Sequence, residues 1–191
     1  MTGELSLRNR QRTRPVNLRL LRRITRCLLT DFLRPRHFEL GLHLVAAPEM
    51  ARLNAAFLHH QGSTDVITFD HSDNVGQASR LPPTARERAS LSAINGKLLP
   101  VRDRRDACPT FLHGEIFLSL DDALAQARQF HTTWQSELVR YLVHGLLHLC
   151  GHEDRRPAAR GRMKREENRL LRELSRRFAL SELGRKPNLR P

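Results

Sequence analysis

Apolar residues recur along this chain with two spacings, and the spacings divide it into helices and strands. From Val16 to Phe32 a helical stripe runs through Leu18, Leu21, Thr25, Leu28 and Phe32, widened by Ile24 and Leu29. Arg19, Arg22, Arg23 and Arg26 fall mostly on the opposite face. Phe38 to Ala46 alternates, with Phe38, Leu40, Leu42 and Leu44 on one side, as a strand does. Pro48 suits a first helical turn, so a short helix is expected over Pro48–Leu58. Asp65–Asp70 and Glu115–Leu120 read as two further strands. Asp121 and Asp122 are expected to cap a helix reaching about Phe130. Thr132 or Thr133 should then cap a longer, mostly apolar helix from Trp134 to Cys150. Pro157 opens a last helix, with Met163, Leu170, Leu171, Leu174 and Phe178 on its apolar side.

What interrupts this pattern sets the organisation. His71–His113 is too long for an ordinary connection, and it holds Pro82, Pro83, Pro100 and Pro109 among many arginines. It reads as a poorly ordered insertion in a single domain spanning residues 1–191, with a basic tail from about Leu183. No run of 18 apolar residues exists, so no membrane span is expected. Arginines break every apolar stretch near the N-terminus, which argues against a secretory signal. That arginine-rich start is read as a basic helix, and the protein as cytoplasmic. Cys27, Cys108 and Cys150 are widely spaced and form no CxxC, so no zinc ribbon or disulfide framework is indicated, and Cys150 is expected as a buried apolar cysteine.

Charge narrows the partners. The formal net charge is +13 and it is concentrated at the ends. Residues 1–36 hold ten arginines against Glu4 and Asp31, for a net +8. Residues 155–191 hold thirteen lysines and arginines against four glutamates, for a net +9. A polyanion fits such a surface, nucleic acid before an acidic membrane.

The chemistry is concentrated in His144-Gly145-Leu146-Leu147-His148-Leu149-Cys150-Gly151-His152-Glu153-Asp154. Histidines four apart share one helix face. Gly151 stands where a sharp helix end needs φ > 0. Asp154, ten residues after His144, has the offset of the third ligand in a metzincin-type zinc site. His152 is the competing third ligand. Asp154 is favoured because the turn after Gly151 needs two more residues to bring a side chain back beneath a metal, which leaves His152 beside the ligands or facing substrate. Two neutral imidazoles and a carboxylate suit one Zn²⁺ per chain, with a position open to a water whose pKa zinc lowers. The residue after His144, a glutamate general base in the peptidases of this pattern, is Gly145 here. Together with the basic ends, that favours phosphodiester over peptide cleavage.

The same segment resembles the signature of the YbeY family of bacterial rRNA-maturation endoribonucleases. Leu53-Asn54 followed by Thr64-Asp65-Val66-Ile67-Thr68-Phe69 is similar to that family's "LN … TDVLSF" element, and Gly114-Glu115-Ile116-Phe117-Leu118-Ser119 to its "GDIxIS" strand. Met163-Lys164-Arg165-Glu166-Glu167 resembles its closing helix. The resemblance implies an α+β fold: a small mixed four-stranded sheet packed with about five helices, with the zinc motif on a central helix. It implies zinc-dependent, single-strand-specific RNA cleavage in small-subunit rRNA 3′-end processing and ribosome quality control. Ribosomal RNA and ribosomal or pre-ribosomal particles would be the partners, with no DNA specificity and no membrane. Three departures are visible: the family's third histidine is Asp154, its arginine after the "LN" element aligns with Leu58, and the 71–113 insertion has no counterpart. Two other readings remain, a ribosome-assembly or RNA-binding factor with a mainly structural zinc, and a metallopeptidase.

Overall fold

The computed structural model describes residues 2–72, 91–94, 97–100 and 109–185. Its elements in chain order are β1 (Thr2–Asn9), α1 (Leu18–Cys27), β2 (His37–Val45), α2 (Ala47–Leu53), β3 (Val66–Asp70), β4 (Leu91–Ile94) and β5 (Lys97–Pro100), followed by β6 (Phe111–Ser119), α3 (Leu120–Gln129), α4 (Trp134–Leu149) and α5 (Pro157–Arg177). Four strands form one mixed sheet in the order β1-β2-β6-β3. β1, β2 and β6 run parallel, and β3 pairs antiparallel with β6. The α+β architecture expected from the resemblance is present.

Strand alternation decides which side of the sheet carries the core. Leu40, Leu42 and Leu44 of β2 stand level with Gly114, Ile116 and Leu118 of β6, and all but the glycine belong to a core cluster that also holds residues of α1, α3, α4 and α5. Each such leucine contributes on the order of 1.5–3 kcal/mol on leaving water. The opposite face carries a smaller cluster of Val45, Met50, Ile67 and Phe117 under α2.

Several expectations need correction. The N-terminal residues form an edge strand, β1, and not a basic helix; only Leu5 and Leu7 alternate there, because an edge strand needs little apolar surface to dock. Ser119, not Asp121 or Asp122, is the side-chain cap of α3, accepting from the Asp122 N–H at 3.2 Å. Asp121 instead accepts from the Ala47 N–H at 2.6 Å and so holds the start of α2. The sheet also reaches into the expected insertion: β6 starts at Phe111, and the His71 N–H donates to the His113 carbonyl at 2.8 Å. Within the insertion β4 and β5 pair as an antiparallel ribbon, while residues 73–90, 95–96 and 101–108 lie outside the described residues. Leu183 is fully buried, and its carbonyl accepts from the Asn17 N–H at 2.8 Å, so the chain stays anchored beyond the point where a tail was expected. Cys150 is buried as expected, but it is disulfide-bonded.

Helix α4 lies against the sheet at two glycines. A Cβ at Gly145 would stand 3.0 Å from Ile116 Cγ2 and 3.1 Å from Thr68 Cγ2. One at Gly114 would stand 2.5 Å from the Phe69 carbonyl oxygen and 2.9 Å from Leu149 Cδ2. These contacts fix how α4 sits. They give a test: Gly114→Ala should lower stability by about 1–3 kcal/mol through overpacking. Gly161→Ala, where the new methyl meets only Arg165 Nη1 at 3.6 Å, should raise it by roughly 0.5–1 kcal/mol through helix propensity. Urea midpoints measure both, and equal midpoints would show that the helix–sheet contact is loose.

Candidate metal centre

Helix α4 is capped by Thr133, whose hydroxyl accepts from the Ser136 N–H at 3.3 Å, so of the two threonines expected there the second is the cap. Eleven of its sixteen residues are buried. Arg140, His144 and His148, spaced four apart, form the stripe that escapes burial in the core, and they face α5 and the chain that returns after the helix. Gly145 lies on the sheet side. A side chain at that position would enter the sheet, which gives the glycine a packing reason.

The helix ends as its sequence predicts. Gly151 has φ 86°, the His152 N–H donates to the Leu147 carbonyl at 3.0 Å, and the Gly151 N–H donates to the His148 carbonyl at 2.8 Å. This is a Schellman termination, which satisfies the last carbonyls and reverses the chain. The reversal carries the His152 carbonyl to His148, whose Nδ1–H donates to it at 3.0 Å. Two residues later the Asp154 carbonyl accepts from Arg160 Nε at 2.9 Å, which ties the returning chain to α5.

Both imidazoles are oriented from behind. Glu167 of α5, 4% exposed, accepts from His144 Nδ1–H at 3.2 Å through Oε2. Its Oε1 accepts from Arg140 Nη1 at 2.8 Å and from Lys164 Nζ at 2.9 Å. Burial alone would raise the Glu167 pKa, but the bonds from His144, Arg140 and Lys164 outweigh it and push the carboxyl down to about 2. A carboxylate and a backbone carbonyl can only accept, so each ring carries a proton on Nδ1 and, as a neutral ligand, would turn a bare Nε2 toward the other. For His148, burial and then the neighbouring His144 lower the pKa, which favours the neutral ring.

The consequence is a cluster of three acceptors. The two Nε2 atoms are 3.0 Å apart, and Asp154 Oδ2 is 4.0 Å from each. His144, His148 and Asp154 are the group among the described residues whose atoms could hold a metal ion. A tetrahedral zinc with its usual bond lengths separates ligand atoms by about 3.3 Å, a value these distances bracket. Of the expected site residues, the structure brings His144, His148 and Asp154 together, and it places the backbone of His152 behind His148. Leu58 is 43% exposed at the end of the π-helical turn Asn54–Leu58 that follows α2.

Sequence reasoning missed Glu167, Arg140 and Lys164. A signal was present for the first of these. Glu167 falls four residues after Met163 and three before Leu170, in line with the apolar stripe of α5, where a charge must have partners.

The sequence model of the family described as Endoribonuclease YbeY matches residues 6–175. An Endoribonuclease YbeY of Salinibacter ruber is 31% identical over 133 residues, covering 70% of this chain and 68% of the relative. One of Bacteroides thetaiotaomicron is 30% identical over 133 residues, covering 70% and 72%. One of Parabacteroides distasonis is 29% identical over 123 residues, where the match covers 64% of this chain and 62% of the relative's length. The solution structure of TM1509 from Thermotoga maritima aligns over 98% of this chain and all of that one, with a TM-score of 0.53 and 18% identity, a likeness of fold.

The third ligand is open to direct test. If the cluster holds a metal, Asp154→Ala should lose it, measured as equivalents per chain after dialysis, while His152→Ala keeps it because its contribution to His148 is a backbone carbonyl. Loss in the His152 variant alone would exchange the two assignments.

Proposed function

The chain belongs to the YbeY endoribonuclease family, and from that premise we propose that it is a zinc-dependent endoribonuclease that cleaves single-stranded RNA in rRNA maturation. The observation that carries the metal part of the reading is the trio of facing acceptors, His144 Nε2, His148 Nε2 and Asp154 Oδ2. Three lone-pair donors held this close repel one another unless a cation lies between them. Zinc bound there supplies a Lewis acid toward a phosphodiester and lowers the pKa of the attacking water.

The chain's own residues supply the rest. His144 and His148 stay aimed because Glu167 and the His152 carbonyl hold their Nδ1 protons. Arg155 and Arg156 follow Asp154 directly and are exposed, so positive charge stands beside the site for a phosphate backbone. In this reading they meet the charge that the family arginine would have met at the position of Leu58. The concentration of charge at both ends of the sequence favours a polyanionic substrate over a peptide. Action on ribosomal RNA in ribosomal or pre-ribosomal particles, and a cytoplasmic location, are the extension the family suggests. No helix among the described residues is long and apolar enough to cross a membrane.

The test joins metal analysis to cleavage of single-stranded RNA. Wild-type protein should carry one zinc and cut. His148→Ala should lose the metal and fall to background cleavage while still binding RNA. Cleavage that survives full chelation would sink the proposal. RNA binding should also weaken steeply as salt rises, since each neutralised phosphate releases counterions. A flat salt profile would make the basic ends solvated surface only.

A further inference from the structure

We propose that Glu167 is the positioning residue of the metal centre: it fixes the tautomer of His144, and the two cations on its other oxygen fix which of its atoms faces the ring. The proposal rests on the reading of His144 as a metal ligand and goes one step behind it.

The geometry is asymmetric. Arg140 Nη1 and Lys164 Nζ both donate to Oε1, at 2.8 and 2.9 Å, while Oε2 alone meets His144 Nδ1, at 3.2 Å. Arg140 is itself held by Glu137, 3.3 Å from Arg140 Nε, and by Asn168, whose Oδ1 accepts from Nη1 at 3.2 Å. The Oε1 side of the carboxyl is therefore reserved for an oxygen. Glutamate satisfies both sides, because both of its oxygens accept.

Glutamine cannot. Its oxygen must take the Oε1 position, since an amide NH₂ there would face two cationic donors. Its NH₂ then points at His144 Nδ1 and donates to it. A ring that accepts at Nδ1 carries its proton on Nε2, the nitrogen that faces His148 and Asp154. The isosteric change thus puts a proton where the lone pair is needed. Alanine leaves Nδ1 free to donate to water and the metal-facing lone pair intact.

A structural role and a positioning role therefore predict opposite orders. If Glu167 only fills space and pairs charge, glutamine is the milder substitution. If it sets the tautomer, glutamine is at least as damaging as alanine. The experiment titrates the metal-free full-length protein with Zn²⁺ against a chromogenic chelator and compares wild type, Glu167→Ala and Glu167→Gln. Glu167→Gln should bind zinc about 10- to 100-fold more weakly than wild type, and no more tightly than Glu167→Ala. Zinc affinity of Glu167→Gln within twofold of wild type, or clearly better than that of Glu167→Ala, overturns the assignment. Wild-type protein that binds no zinc overturns the metal reading and this assignment with it.

Both variants disturb a buried carboxylate, so a measurement on the unaltered chain stands beside them. Nitrogen-15 spectra of the metal-free wild type, recorded at a pH where the ring is neutral, should show His144 protonated on Nδ1 and bare at Nε2. The opposite tautomer overturns the proposal whether or not the variants fold.

Discussion

Everything at the candidate metal centre depends on how closely α4 approaches the sheet. At Gly145 the helix backbone comes so near Ile116 and Thr68 that even a methyl group would press on them. At its far end Leu149 fills the space over Gly114. With the sheet side of the helix fixed at two points, rotation about its axis is not available, because close-packed interiors do not yield by fractions of a turn. The side turned away from the sheet carries Arg140, His144 and His148, and its direction is set before any side chain on it makes a bond. The same packing leaves no room for a glutamate at 145, because the position belongs to the helix–sheet contact. The carboxylate that meets His144 comes from α5 and has a different task.

That choice has an energetic signature. A carboxylate in the apolar stripe of α5, between Met163 and Leu170, is costly to desolvate, and an apolar residue of similar size would often pack there at no loss or with a gain in stability. The structure offsets the burial with Arg140, Lys164 and the His144 ring. Such a group adds little to stability when complete and is expensive to break. What it gives is direction: a fixed ring, a fixed proton and a lone pair facing Asp154.

Much of this was legible along the chain because it rests on local periodicity. The apolar run from Trp134, the histidines four apart and the glycine at 151 are signals within one helix and its end, and the Schellman bonds follow from them. The position of Asp154 was legible only as an offset; its approach to 4.0 Å of both rings needs the turn and the Arg160 tie as well. β1 was missed because an edge strand with Leu5 and Leu7 inside carries too little pattern to separate from a basic helix. The cap of α3 was misplaced because three oxygen-bearing side chains stand within four residues there, and only tertiary contact assigns Asp121 to α2 and leaves Ser119 to the helix. Glu167 was legible in residue type but not in role. No spacing within one helix reports a partner 23 residues away.

The carboxylate at 154 changes the electrostatics of the centre as well as its ligand chemistry. A divalent ion on two neutral imidazoles and one carboxylate leaves a net charge of +1, where three histidines would leave +2. Glu167 adds nothing to that sum, since its charge is more than met by Arg140 and Lys164. On the proposed reading that weaker central charge would make a poorer electrostatic attractor for a phosphodiester, and attraction would come from outside the ligand shell. Arg155 and Arg156 stand next in the chain and are exposed. On the proposed reading binding and bond polarisation would be separated: arginines outside the centre would hold the polyanion, and the centre would act on one phosphate.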